Sequence, residues 1–391
     1  MKKIFLILLC AVLITACKQS EKSDKVKLEE PSRAYDTLAF KRKAEKIEAF
    51  FNELESRNNF HGSVLISFDE HVLYQKSFGY QDPKKKKKHL KNNSIYQLAS
   101  VSKQFTAAAI MKLVQDGKIN LSDSIQKFYP AFPYKNITIE LLLTHRGGLG
   151  NYTYFTEKFT DRKTPLTNQG VVELMIKHKP EIYFFPDRRM DYSNTGYVLL
   201  AAIVEKVTGM SFKEYMEKKI FRPLGMKHTY VLDVNHLGDF KYVDAYDKWG
   251  AKVRHDYLDG ATGDKGIYST TGDMHIWDRV LYSDKFLSDS LVKLMYVPGS
   301  KTLKGPFNYA FGWRTFELED GTIIPYHGGW WNGFKSFFMR DLENRHSIII
   351  LCNNERSNFR NLDPLVDIIY DRKPDAGRKF SAYLHHSPGR K

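Results

Sequence analysis

The sequence predicts an α+β fold: an α/β sandwich with an antiparallel sheet flanked by helices, and a mainly helical region inserted at about residues 120–260. Three observations carry this. Strand patterns cluster towards both ends of the chain. Helical spacing dominates between them. The links joining neighbouring strand patterns are short, which suits antiparallel pairing.

Taken in order, residues 39–57 show helical spacing at Ala44, Ile47, Phe50, Phe51 and Leu54. Residues 63–67 and 72–78 flank Asp69-Glu70 as a hairpin. From Ser100 to Gly117 nearly every residue is apolar or small, so this helix is apolar on most faces and belongs in a core, with Gly117 just past its end. Helices follow at 170–178, 197–208 and 211–220. Strands return at 309–316, 322–326, 333–339 and 347–351, and 362–370 makes a closing helix. The sheet is therefore assembled from both ends of the chain. No internal repeat is present.

The N-terminus carries separate information. Lys2-Lys3 precedes an apolar stretch, residues 4–13, that is too short to span a bilayer. Ile14-Thr15-Ala16-Cys17 resembles a lipoprotein signal box. This gives a signal peptide at 1–16, lipid on Cys17, and a charged tether at 17–38 without apolar periodicity. An ordinary secretory signal cleaved nearby is the other reading. Lys18 after the cysteine resembles the sorting pattern for the outer membrane of a cell envelope. The folded domain then spans 39–372, and a loose basic tail 373–391. Of the three cysteines, Cys10 leaves with the signal and Cys17 takes the lipid. Cys352 remains in a buried-strand run, as an inert small hydrophobe and with no disulfide partner.

The 391 residues carry a net charge of +15, part of it in one run, Lys84-Lys85-Lys86-Lys87-Lys88. That run is a solvated hairpin tip or a contact with anionic cell-wall or lipid headgroups. No nucleic-acid module is present. After residue 17 no run is long and apolar enough for a transmembrane helix.

The chemistry-bearing motif is Ser100-Val101-Ser102-Lys103. Residues three apart on a helix share a face, so a hydroxyl and an amine stand side by side. Serine is a poor nucleophile unless a neighbouring base takes its proton, and a buried neutral amine can do so. Ser124-Ile125-Gln126-Lys127 and Ser290-Leu291-Val292-Lys293 share the spacing, but the first is a short capped turn before Pro130 and the second a surface helix. Downstream, Tyr192-Ser193-Asn194 supplies a phenol able to relay a proton and an amide able to hold a carbonyl. Tyr134-Lys135-Asn136 has the same pattern in a proline-flanked loop. Later comes Tyr326-His327-Gly328-Gly329-Trp330-Trp331-Asn332-Gly333-Phe334. Its decoys are His145-Arg146-Gly147, which precedes Tyr192, and His236-Leu237-Gly238, which has no strand pattern around it.

In this order the motifs resemble the serine β-lactamase-related family: class C β-lactamases, D,D-carboxypeptidases, D-aminopeptidases and related esterases. Other segments extend the likeness over roughly 40–370. They include Leu141-Leu142-Leu143-Thr144-His145-Arg146-Gly147-Gly148-Leu149, Arg222-Pro223-Leu224-Gly225-Met226 and Gly266-Ile267-Tyr268-Ser269-Thr270-Thr271-Gly272-Asp273-Met274. The resemblance implies a β-lactamase/transpeptidase-like fold. It also implies a Ser100 acyl-enzyme formed on an amide or ester and resolved by water, with no cofactor. Lys103, Tyr192 or both take the serine proton. Asn194 meets the substrate carbonyl side, His327, Gly328 and Gly329 line the substrate strand, and the backbone N–H groups of Ser100 and Trp330 form the oxyanion site. His327-Gly328-Gly329 departs from the Lys-Thr-Gly of class C β-lactamases, since a histidine near pH 7 is mostly neutral. Trp330, Trp331, Tyr326 and Phe334 form an aromatic wall or ordinary sheet packing. The candidate substrates are D-amino-acid peptides, small esters and β-lactams.

Two other readings compete with this one. A Ser-His-Asp triad through His145 and Asp191 lacks a Gly-x-Ser-x-Gly elbow and leaves Lys103 without a role. A non-catalytic envelope binding or scaffold protein on the same fold would not need Ser100, Lys103, Tyr192 and Asn194 together.

Overall fold

A computed structural model describes residues 37–371 apart from 302, 319 and 358–361. The expected signal segment, Cys17, nearly all of the tether and the 373–391 tail lie outside the described residues.

Helix α1 (Thr37–Ser56) begins two residues before the expected domain start and turns Ile47 and Phe51 onto the sheet. The expected hairpin forms from β1 (Gly62–Phe68) and β2 (His71–Phe78). A separate two-stranded ribbon, β3 (Tyr80–Asp82) and β4 (Lys87–His89), carries the lysine run at its tip. Short β5 (Tyr96–Gln97) leads into a 3₁₀ turn, Ala99–Ser102, and then α2 (Lys103–Gln115). The helix thus starts at Lys103, with Ser100 in the turn before it. Gly117 follows its end at φ +67, a conformation glycine adopts freely.

The inserted region holds α3 (Ile125–Phe128), α4 (Ile139–Leu143), α5 (Tyr152–Phe155), α6 (Asn168–His178), α7 (Asn194–Thr208) and α8 (Phe212–Tyr215). Thr138 caps α4 and Thr167 caps α6, each side chain accepting a first-turn N–H. The expected 211–220 helix is α8 followed by a π-type turn at Met216–Phe221. One strand also lies here. β6 (Tyr230–Val231) joins β5 and β7 (Ile267–Ser269) in a small sheet ordered β5-β7-β6. Strands of two or three residues are too short to show alternation in the sequence.

Next come α9 (Thr271–Val280) and α10 (Asp289–Leu294), on which Lys293 makes an exposed pair with Asp289 at 2.6 Å. The single strand expected at 309–316 is instead two, β8 (Phe307–Tyr309) and β9 (Arg314–Glu317). The chain reverses at Gly312, φ +81, where a Cβ would lie 2.6 Å from Gln104 Cα. Apolar residues on both sides of the reversal masked it. β10 (Ile323–Trp331) runs on through the whole His-Gly-Gly-Trp-Trp segment, and β11 (Phe334–Asp341), β12 (His346–Cys352) and α11 (Asp363–Ile369) complete the described chain.

The main sheet has seven antiparallel strands ordered β2-β1-β12-β11-β10-β9-β8, so the two ends of the chain meet where β1 pairs with β12. Alternation divides the core. Val64, Ile66, Ile348 and Ile350 face α1 and α11, whereas Leu65, Ile349 and Leu351 face α2 and the inserted helices. Each face buries apolar surface at roughly 25 cal/mol per Å², and a lysine on the inner layer is therefore exceptional. Lys103 is such a lysine, and every residue from it to Met111 on α2 is buried. No helix among the described residues is long and apolar enough to cross a membrane.

Candidate active site

The site begins with strain in the backbone. Ala99 sits at φ +47, a left-handed conformation that costs a residue with a Cβ about 1 kcal/mol. Tertiary contacts hold it there. Ser336 Oγ donates to Leu98 O at 2.6 Å, and β10 packs directly onto the turn. A Cβ on Gly329 would lie 2.5 Å from Leu98 O and 3.0 Å from Ala99 Cβ, so only glycine admits this approach. The turn sorts the two serines of the motif. Ser102 is fully buried and accepts from Ile267 N at 3.3 Å, while Ser100 keeps partial exposure.

Lys103 is 0 % exposed. Its Nζ lies 3.1 Å from Ser100 Oγ, 2.8 Å from Asn194 Oδ1 and 2.9 Å from Asp264 O. All three are neutral oxygens, and no carboxylate pairs with it among the described residues. Asn194 is the first residue of α7, which places its side chain over the start of α2. With Oδ1 occupied by Lys103, its Nδ2 has no partner among the described residues. The Asp264 carbonyl comes from a loop fixed by buried Lys265, whose Nζ donates to Tyr152 Oη, Leu258 O and Ala261 O. Tyr152 Oη in turn donates to Asp264 Oδ2 at 3.2 Å.

Tyr192 stands beside this pair. Lys103 Nζ lies 4.9 Å from its ring centroid, and the Arg314 guanidinium 5.1 Å. Its hydroxyl is buried and has no hydrogen-bond partner. A buried hydroxyl left unmatched in a cleft is costly until something fills the cleft. Arg314, on β9 and half-buried, has no carboxylate partner among the described residues.

The remaining expected residues take more varied positions. Gly328 is exposed beside Gly329, and Trp330 is 62 % exposed at the end of β10. The His327 ring is not presented to the cleft. It is 1 % exposed, Nδ1 donates to Gly328 O at 2.7 Å, and Nε2 accepts from Tyr309 Oη at 3.0 Å. Burial first, then the charges of Arg314 and Lys103, hold its pKa well below the usual histidine range. A neutral imidazole needs no counter-ion, which lets it pack inside where a lysine would reach out. Tyr326 and Phe334 are core residues at 3 % exposure each, and Trp331 is tied to Asp259 through Nε1 at 2.6 Å. The aromatic wall therefore reduces to Trp330, with Trp331 behind it.

His145 lies closer than its motif suggested, its ring 4.3 Å from Tyr192 and 4.2 Å from Tyr309. It does not form a triad. Its Nδ1 accepts from Ser193 N at 3.3 Å, and the Asp191 side chain faces Arg189 at 3.9 Å. Burial, Lys103 and Arg314 hold its pKa well below the ordinary value.

Sequence reasoning missed Arg314, the Asp264-Lys265 loop and Tyr309. Arg314 left a trace, a lone cation within Trp313-Arg314-Thr315-Phe316. The loop left another, two charges held between Gly263 and Gly266 in an otherwise buried segment. Tyr309 gave no signal beyond strand propensity.

A serine beside a fully buried lysine, a facing tyrosine and asparagine, and a glycine-lined strand edge define a β-lactamase/transpeptidase-like serine hydrolase fold. The Beta-lactamase family profile matches residues 47–369, and the chain belongs to that family. It is 33 % identical over 327 residues to penicillin-binding protein 4* of Bacillus subtilis, covering 80 % of this chain and 72 % of that one. Among solved structures, the octameric penicillin-binding protein homologue from Pyrococcus abyssi superposes with a TM-score of 0.73 at 27 % identity, covering 85 % of this chain and 78 % of that one. The D-amino acid amidase from Ochrobactrum anthropi SV3 shares the fold, with a TM-score of 0.68 at 22 % identity over 84 % of this chain and 98 % of that one.

Proposed function

We propose that the chain is an acyl hydrolase whose Ser100 attacks an amide or ester carbonyl. The observation that carries this is the contact between Ser100 Oγ and a fully buried lysine amine, 3.1 Å apart, with no carboxylate among the described residues to hold the amine as a structural ion pair. In the acylating form Lys103 takes the serine proton, and Tyr192, whose hydroxyl is unmatched, relays a proton to the leaving group. Asn194 Nδ2 meets the substrate carbonyl side. The amides of Ser100 and Trp330 hold the developing oxyanion, where each donor contributes roughly 10²–10³ in rate.

Arg314 narrows the substrate. With His327 turned inward and Lys103 engaged with Ser100 and Asn194, the Arg314 guanidinium beside Tyr192 has no carboxylate partner among the described residues, and it suits a substrate carboxylate. Acyl-D-amino-acid peptides and β-lactams carry such a group, and the name of one relative, a penicillin-binding protein, agrees with that class. Lipid anchoring at Cys17 and delivery to the outer membrane belong to the same proposal and rest on the N-terminal pattern alone. Labelling with a fluorophosphonate or a fluorescent penicillin tests the chemistry. Wild type is expected to label and Ser100→Ala to stay blank, and equal labelling of the two overturns it.

A further inference from the structure

We propose that the lysine ribbon and the loop beside it form a docking strip for a linear polyanion that leads into the cleft. The proposal rests on the acyl-transfer reading only for what happens at the cleft end. Docking itself is measured independently of it.

The strip is continuous. The β3–β4 ribbon exposes all five lysines, 84–88. A Cβ on Gly250 would lie 3.9 Å from Lys84 Cβ, which puts the ribbon against the 247–250 loop bearing exposed Lys248 and Trp249. Asn353 ties the two together, its Nδ2 donating to Gln81 O at 3.1 Å and to Asp244 O at 3.0 Å. Glu355 then bridges to the cleft. It accepts from Lys248 N at 3.2 Å and from Trp330 Nε1 at 3.1 Å. Trp330 directly follows the glycines that face Ser100. The path thus runs from the lysines past two exposed indoles, 75 % and 62 % exposed, to the nucleophile.

The charges on this strip are not cancelled locally. Asp82 pairs only with Lys85, at 3.8 Å, and Asp244 with Lys252, at 2.7 Å. Asp247 caps backbone amides of its own loop, and Glu355 is occupied as described. Lys84, Lys86, Lys87 and Lys88 have no carboxylate partner among the described residues. Adjacent like charges repel, so a merely solvated tip gains nothing by keeping four of them.

The backbone adds a second argument. Lys86 and Lys88 sit at φ +49 and +53, left-handed positions where glycine or asparagine would be cheaper. Local conformation is being sacrificed to keep two cations, a pattern expected where a side chain is needed for a contact. A polymer fits better than a bilayer. Residues 83–89 contain no large apolar side chain to enter a hydrocarbon layer, and the cations form a narrow line that ends at a cleft.

Long-chain inorganic polyphosphate is the probe, with the full-length protein. Wild type is expected to bind it with an affinity that falls steeply with salt. The variant K84Q/K86Q/K87Q/K88Q is expected to bind at least tenfold more weakly. Its log-affinity against log-salt slope flattens by about 3, near 0.7 per lost contact. The double variant K86G/K88G relieves the left-handed residues, so it is expected to raise the melting temperature while weakening binding, which separates charge from folding. Binding is also expected to perturb tryptophan fluorescence less in Trp249→Phe than in wild type. Both lysine variants keep wild-type turnover of p-nitrophenyl acetate. Unchanged polyphosphate affinity in the lysine variants overturns the proposal. So does a loss of affinity seen with phosphatidylglycerol vesicles but not with polyphosphate, which would make the strip a membrane contact.

Discussion

On the proposed acyl-transfer reading, the contact between Gly329 and the Ser100 turn sets the geometry of acylation, and one methyl group tests it. In Gly329→Ala the new Cβ would lie 2.2 Å from Ser336 Oγ and 2.5 Å from Leu98 O. The serine hydroxyl can rotate away, but the Leu98 carbonyl is backbone. Restoring ordinary contact, near 3.4 Å, requires β10 and the 3₁₀ turn to separate by close to 1 Å. That gap is the one the proposed oxyanion would bridge between the amides of Ser100 and Trp330. A displacement of this size typically costs about 10²-fold in rate, and loss of a single oxyanion donor about 10²–10³-fold. Gly329→Ala is therefore expected to lower the acylation rate on p-nitrophenyl acetate by about 10²-fold, measured as the pre-steady-state burst. Overpacking of this kind costs about 1–3 kcal/mol, a fall of several degrees in melting temperature that leaves the protein folded at assay temperature. Gly328→Ala is the comparison. Its Cβ meets only Ser336 O, at 3.9 Å, so its stability is expected to match wild type. A Gly329→Ala burst rate within threefold of wild type would refute the argument that this approach positions the oxyanion site.

Three further outcomes are expected. Arg314→Gln raises KM for carboxylate-bearing substrates such as a D-Ala-D-Ala peptide by about 10–100-fold, the worth of a charge-assisted hydrogen bond, and leaves p-nitrophenyl acetate within a few-fold; equal effects on both would remove Arg314 from substrate recognition. His327 and His145 are held neutral, with folded pKa values well below 6.5 and an unfolded value near 6.5. The unfolded chain therefore binds more protons as pH falls through 6.5, and stability is lost on that side. Thermal melts from pH 7.5 to 5 are expected to fall less steeply in His327→Gln, and parallel curves would show that folding leaves the His327 titration unchanged. Incorporation of a labelled fatty acid is expected to vanish in Cys17→Ser, and retained label would place the modification elsewhere.

The sequence made the scaffold legible where a pattern was long enough to repeat. Short apolar runs within residues 63–67 and 347–351 marked two strands, and the structure pairs them with each other. The apolar run after Ser100 marked α2 as a core helix. What it hid were features set by contacts between distant segments. The reversal at Gly312 exists because the chain must pass α2, and nothing local separates it from a continuous strand. The inward turn of His327 depends on Tyr309, eighteen residues earlier in the sequence. Arg314 approaches Tyr192 only after β9 pairs beside β10. Motifs name which side chains matter, whereas their orientation belongs to the assembled core.

The acceptors around the Lys103 amine come from residues 91 and 161 positions further along the chain, and the clamp on Leu98 from 238 positions away. A nascent polypeptide therefore carries Ser100 long before it carries the residues that surround Lys103. On the proposed mechanism, Ser100 stays a harmless alcohol until Asn194 and the Asp264 loop have packed beside Lys103 and Ser336 has clamped Leu98. A covalent probe of Ser100 consequently doubles as a gauge of maturation, reporting the fraction of molecules that have finished folding.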